Sequence, residues 1–276
     1  MKKAKIAVAH THQDVLAVRL LARAREDFQA MRKTMDNRIG RKSDGNDQNI
    51  AERSFRPDDL FAFAEVADSA RKEEAGIERR LKKILKRFPI YNEFLSDVKG
   101  VGPIAAAHII GNIDIHKATT VSKIWQYCGL NPSMVRGKKR KDRKDGGFDL
   151  IVTDTMVRGD KMTAGFVAPF NKQLRCALCG VLADGFIKAQ APYALDYYYP
   201  YKERLENSAK PVSEIRKAGA KAEDIPWSEA KKAHRDRAAK RYMIKMFLRD
   251  LYEAWRALEG LPVRPPYQEE YLGHKH

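Results

Sequence analysis

The sequence predicts a mainly α-helical fold, and three observations carry that prediction. Apolar residues recur three and four apart through most of the chain. Prolines and glycines fall where such stretches begin and end. Strand-like alternation is confined to one short region. The expected layout is a helical hairpin or coiled-coil arm over 1–89, a helical domain over 90–262 and a loose tail over 263–276.

Residues 12–39 read as the first helix, because Leu21, Ala24, Phe28, Met31 and Met35 form a three-four seam. The polar run Gly40–Arg56, with Gly45, Asn46 and Asn49, reads as a loop. Pro57 suits the first position of a second helix, with Asp58 and Asp59 in the turn where negative charge is favoured. Ile77, Leu81, Ile84 and Phe88 continue its apolar stripe, and Pro89 ends it. Two such helices suit either dimerisation or packing within the chain.

The region 91–132 is centred on a tight turn between two helical patterns. Phe94, Leu95 and Val98 have helical spacing, and Gly100 stands where that helix stops. Pro103 then starts another, with Ile104, Ala107 and Ile110 on its apolar face. Between them lies Lys99-Gly100-Val101-Gly102-Pro103, the spacing of a helix-hairpin-helix turn. Glycine allows backbone to come close to a ligand, and amides at a helix start favour an anion. These five residues are therefore candidates for holding a phosphate diester, against the plainer reading of a simple helix corner.

Val121 to Cys128 is the next predicted helix, capped by Gly129. GKKRKDRKDGG, 137–147, reads as an extended solvated loop whose like charges repel unless phosphates neutralise them. Its cations Lys138, Lys139, Arg140, Lys141, Arg143 and Lys144, with Arg136 before them, are candidate nucleic-acid contacts. Residues 148–168 hold the strand-like texture: Phe148, Leu150 and Val152, a Gly159-Asp160 break, then Phe166 and Val167 suggest a small β-hairpin. A helix is expected from Asn171 to Gln190. Its Cys176 and Cys179 lack a second cysteine pair or a nearby histidine, so buried packing is expected rather than a metal site.

Tyr193, Tyr197, Tyr198, Tyr199 and Tyr201 either fill helix interfaces or stack on unpaired bases. Ser208–Pro226 reads as a polar connection with a short helix, and Trp227–Glu259 as one long amphipathic helix. Arg237, Arg241, Lys245 and Arg249 recur every four residues along it, a cation about every 6 Å, and form a second candidate ridge. His10, His12, His274 and His276 are too isolated to suggest a metal site.

Charge points the same way. Against 36 Asp+Glu stand 53 Lys+Arg, a formal net charge of +17, which flags a polyanionic partner. No apolar run is long enough to cross a bilayer, and the N-terminal apolar stretch is too short for a signal peptide. Three cysteines make no disulfide framework, so a cytoplasmic setting is expected.

The ordered elements resemble the C-terminal half of the insertion-sequence one-ten family of transposases and the related Piv-type DNA invertases. IERRLKKILKRFP, FLSDVKGVGPIAAAHIIGNI, SKIWQYCGLNP and FNKQLRCALCGVLADGFI carry the resemblance, over residues 75–260. It implies DNA transposition or recombination, with DNA as partner and, in characterised members, a structured guide RNA. It also implies a metal-dependent nuclease-like domain with acidic ligands, and a serine that attacks DNA. The chain departs from that pattern: Arg136-Gly137 stands where the family has Ser-Gly, Ser133 is the nearest hydroxyl, and helices precede the match. An arginine stays protonated and cannot be the nucleophile. The expectation is a nucleic-acid-binding protein that does not cut alone and needs no cofactor. The alternatives are a recombinase using Ser133 with Mg²⁺, and a regulatory partner that dimerises through the N-terminal helices.

Overall fold

A computed structural model of the chain describes residues 11–39, 55–210, 212 and 225–265. The expected loop across 40–54, the interior of the Ser208–Pro226 connection, and the tail beyond Pro265 lie outside them, as do His10, His274 and His276. The chain is mainly helical, with one two-stranded antiparallel sheet. No helix among the described residues is long and apolar enough to cross a membrane. Two compact units are present, Met1–Tyr91 with Gly102–Asn112, and Asn92–Val101 with Ile113–His276.

The first unit is built on α1 (His12–Ile39) and α2 (Pro57–Leu85), paired within the chain. Pro57 opens α2 as its spacing predicts, with Asp58 and Asp59 in the first turn. Ion pairs set the direction of the pairing. Asp14 meets Arg87, Arg25 meets Glu78, Arg32 meets Glu74 and Asp36 meets Arg71, so one sequence runs up while the other runs down. Beneath them Val18, Ala22, Ala70, Ile77, Leu81 and Leu85 are buried. The third element, α3 (Pro103–Asn112), packs on both helices. Its alanines Ala106 and Ala107 are fully buried and keep the helices close. The Arg19 side chain donates to the Gly111 carbonyl, and buried His108 lies 3.1 Å from the Glu26 carboxylate.

The second unit is organised around one long helix. A 3-10 turn at Trp227–Glu229 precedes α8 (Lys232–Leu258), where the sequence suggests one continuous helix. The break is held by Arg235, which donates to the carbonyls of Trp227, Ser228 and Ala230. Such a guanidinium satisfies carbonyls that a broken helical run leaves orphaned. Met243, Ile244, Phe247, Leu248, Leu251 and Trp255 give α8 its buried face. Phe247 is the hub: Phe94, Phe186 and Tyr193 lie with ring centroids 5.4 to 6.3 Å from its own.

Around this helix stand α4 (Val121–Tyr127), α5 (Lys172–Cys176), α6 (Ala183–Lys188) and α7 (Tyr199–Glu206). Asn171 caps α5 by accepting the Leu174 amide. Between α5 and α6 the backbone widens to π spacing over Ala177–Leu182, and it does so again over Ala194–Tyr198. Trp125 of α4 donates to the Lys245 carbonyl, and Tyr252 donates to that of Thr119.

The sheet differs from the expectation in which segments pair. β1 (Met134–Asp142) runs through the basic stretch expected to be a loop, and pairs with β2 (Phe148–Arg158). The 148–168 hairpin does not form, since β2 is a single strand whose partner lies upstream. Asp145-Gly146-Gly147 supplies the turn, with Gly146 at φ 81°. Directly opposed pairs are Lys138 with Val152, Lys139 with Ile151, and Arg140 with Leu150. Each cation therefore stands beside an apolar side chain rather than another cation, which relieves the repulsion that the sequence advertises.

Candidate nucleic-acid interface

The two glycines of the turn do different work. Gly100 has φ 98°, and a Cβ there would come 2.8 Å from the Phe186 ring and 3.3 Å from the Gly185 backbone. It is a glycine because the second unit folds tightly against it. The Val101 amide donates to the Val98 carbonyl, so it is not free for the phosphate that the turn is expected to hold. Gly102 is another matter. It is exposed, and a Cβ would meet nothing within 4 Å. Its carbonyl accepts from Ala106, Pro103 has no N–H, and α3 begins there. Lys99 is exposed, while Gly100, Val101 and Pro103 are half-buried.

The β1–β2 ribbon shows most of its charge. Arg136, Lys138, Lys139, Arg140, Lys141, Arg143 and Lys144 are all exposed. Arg140 pairs with Asp142, and Arg143 stands between Asp145 and Asp149. The base of the ribbon is fixed. Val157 is buried, the Val167 amide donates to the Lys138 carbonyl, and Gly137 lies against the Phe166 ring. Lys139 stands 5.2 Å from the centroid of that same ring.

The α8 cations do not form one exposed row. Of the four cations spaced along its ridge, Arg237 alone is exposed. Arg249 is drawn to Asp250 at 2.9 Å and donates to the Tyr197 hydroxyl. Between them, Arg241 and Lys245 are half-buried, and neither makes an ion pair among the described residues. Lys245 covers the Trp125 ring at 5.1 Å. Burial holds both groups below their ordinary pKa values, and each is lowered further by a cationic neighbour, Arg175 for Arg241 and Arg241 for Lys245. Asp160 opposes this, but it is already paired with Arg158 at 2.8 Å. Arg175 belongs to the same cluster, donating to the Asp160 carbonyl and lying 4.7 Å from the Phe170 ring. Reading the α8 spacing alone misses Arg175, whose place beside α8 is a matter of tertiary packing.

Tyr193, Tyr197, Tyr198 and Tyr201 fill helix interfaces, while Tyr199 is exposed. Tyr193 donates to Asp250, Tyr198 donates to Asp236, and Tyr201 stacks on Tyr242 with centroids 4.3 Å apart. Cys128 is buried, and burial pushes its thiol well above the usual range. Cys176 is exposed and Cys179 half-buried, so buried packing does not describe the pair as a whole. No group of His, Cys, Asp or Glu among the described residues is arranged to hold a metal. Ser133 is exposed, and its hydroxyl donates to the Asn131 side chain at 2.7 Å, a local contact that offers no general base.

The turn and the start of the ribbon lie in one stretch, 92–145, and that stretch matches the family model described as Transposase IS116/IS110/IS902 family. Over those residues the chain is similar to this family of transposases. No curated protein and no solved structure matches it. Within this matched segment lie Arg136 and Gly137, the pair that the resemblance sets against the family's Ser-Gly. Arg136 is exposed and opposes Met156 across the ribbon.

Proposed function

We propose that this protein serves DNA transposition by holding DNA through its phosphate backbone and does not cleave it alone. The observation that carries the reading is the exposed basic strand, Lys138 to Lys141, inside the segment that matches the transposase family. Four consecutive cations open to water on an anchored ribbon suit a polyanion, whose binding releases counterions. Gly102 adds an open backbone approach at the start of α3, where the helix dipole favours a phosphate. Arg237 and the half-buried Arg241 and Lys245 supply further positive potential in the second unit.

The reading that the chain does not cut rests on Arg136 in place of the serine that the resemblance implies, and on the Ser133 hydroxyl donating to the Asn131 amide oxygen, which is no base. A structured guide RNA would meet the same backbone chemistry. Dimerisation through the first unit is supported by Leu20 of α1 and Phe61 of α2, both large, apolar and well exposed.

Fluorescence anisotropy with a duplex DNA over a range of salt tests the proposal. Binding should weaken steeply, by roughly 0.9 in log Kobs per unit log salt for each phosphate engaged. A flat response would defeat it. Supercoiled plasmid incubated with the chain and Mg²⁺ should stay intact, and nicking abolished by Ser133→Ala would establish the recombinase instead.

A further inference from the structure

The ribbon carries more than charge. On one of its faces stand Lys138, Arg140 and Asp142 from β1, opposite Val152, Leu150 and Phe148 of β2, with Asp142 held by Arg140 at 2.6 Å. The three apolar residues are 48 to 53% exposed, an unusual outlay of aliphatic and aromatic surface. The other face is partly occupied, since Phe166 lies beneath Lys139. Arg140 rests over the Phe148 ring at 4.4 Å, so cation and ring form one surface at the outer part of the ribbon.

We propose that this face lies in the major groove of B-form duplex DNA, a reading that rests on the DNA-binding function above and extends it from backbone to groove. The dimensions agree. Two paired strands lie about 4.8 Å apart and extend roughly 30 Å over nine residues. A groove about 12 Å wide admits such a ribbon. In that seat Lys138 and Arg140 reach phosphates on one wall, while Val152, Leu150 and Phe148 meet base edges, where thymine presents a methyl group. The buried base of the ribbon keeps it rigid enough to enter as a unit. A second copy of this chain is a poorer occupant. Residues 134–158 hold eight Lys and Arg against four Asp, so two such ribbons would bring like charges together. Duplex RNA is also a poorer fit, because its major groove is too deep and narrow for side chains to read.

The test uses the full chain with a mixed-sequence duplex DNA, the matching RNA duplex, and a methylation footprint at guanine N7, which faces the major groove. The wild type should protect N7. The double variant Leu150→Ser/Val152→Ser should lose protection and bind duplex DNA at least about tenfold more weakly, the loss expected when two aliphatic contacts disappear. Its salt slope should not change, because no phosphate contact is removed. Phe148→Ser, at the outer end of the ribbon and away from the fold's core, should repeat the effect.

Unprotected N7 with undiminished affinity in the variants would overturn the groove reading while leaving backbone binding intact. RNA duplex bound as tightly as DNA would overturn it too. A wild type that binds no duplex at all would instead defeat the functional reading beneath it. Variants that turn a wild-type dimer into a monomer on light scattering would make this face an interface between copies and overturn the proposal.

Discussion

Gly100 and Gly102 look equivalent in the sequence, and their surroundings separate them. A side chain at Gly100 must adopt φ 98° and push on the Phe186 ring. Gly100→Ala should therefore destabilise the protein by more than about 1 kcal/mol, visible as a lower denaturation midpoint. Gly102→Ala should change stability by no more than about 0.5 kcal/mol, since its side-chain position is empty. It should still weaken DNA binding by crowding the approach to backbone. Equal midpoints for the two variants would show that the close packing of Gly100 is not a constraint on the fold. The local sequence marks the turn and offers both glycines to a ligand. Nothing local reveals that Phe186, far along the chain, claims the first of them. His108 is a second case: an isolated histidine on an apolar helix that turns out to be buried. Burial is the main cause lowering its pKa from 6.5, the Arg25 charge adds to it, and Glu26 opposes. Below pH 6.5 the unfolded chain takes up a proton that the folded one resists, so stability is lost as pH falls from 6.5 toward the lower folded value. The native carboxylates that hold lowered pKa values, Asp14, Asp114 and Asp236, cost stability only at more acid pH. Thermal melts should thus fall by up to a few degrees over mildly acid pH, and His108→Gln should flatten that slope. An unchanged wild-type midpoint across that window would rule out this role.

Elements were legible in proportion to how local their causes are. α2 and α3 begin where Pro57 and Pro103 lead the eye, because caps and first-turn charges act within a few residues. The aromatic hub could not be read this way, as Phe94, Phe186 and Phe247 are brought together only by folding. β1 was the larger miss. A run of lysines and arginines implies repulsion along the chain, and a strand needs its partner to be known before that cost can be weighed. Once β2 is beside it, each of Lys138, Lys139 and Arg140 is opposed by a branched apolar residue rather than by another cation. The Asp145-Gly146-Gly147 signal was present in the sequence, but Phe148 to Val167 competed for the hairpin. Phe247→Ala tests the hub. It removes a fully buried ring against three others and should cost about 3–5 kcal/mol. A loss below about 1 kcal/mol, read from chemical denaturation, would mean the hub is not central to the second unit.

Across the whole molecule, a net charge of +17 ensures attraction to any polyanion, so affinity alone says little about which residues bind. The salt slope says more, because it counts phosphates neutralised rather than charge nearby. Changing Lys138, Lys139, Arg140 and Lys141 together to glutamine removes four of 53 cations, a small change in net charge. If the ribbon is the main contact, the slope should drop by about 2 where Lys138 and Arg140 alone meet phosphates, and by up to about 3.6 where all four do. If binding is diffuse, it should drop hardly at all. Changing four exposed cations elsewhere, Lys33, Lys72, Lys82 and Lys83 of the first unit, supplies the control with the same charge loss. The two quadruple variants carry equal net charge, so a general field cannot separate them and a local contact must. A control slope that falls as far as the ribbon slope would return the interaction to non-specific attraction and remove the ribbon from the interface.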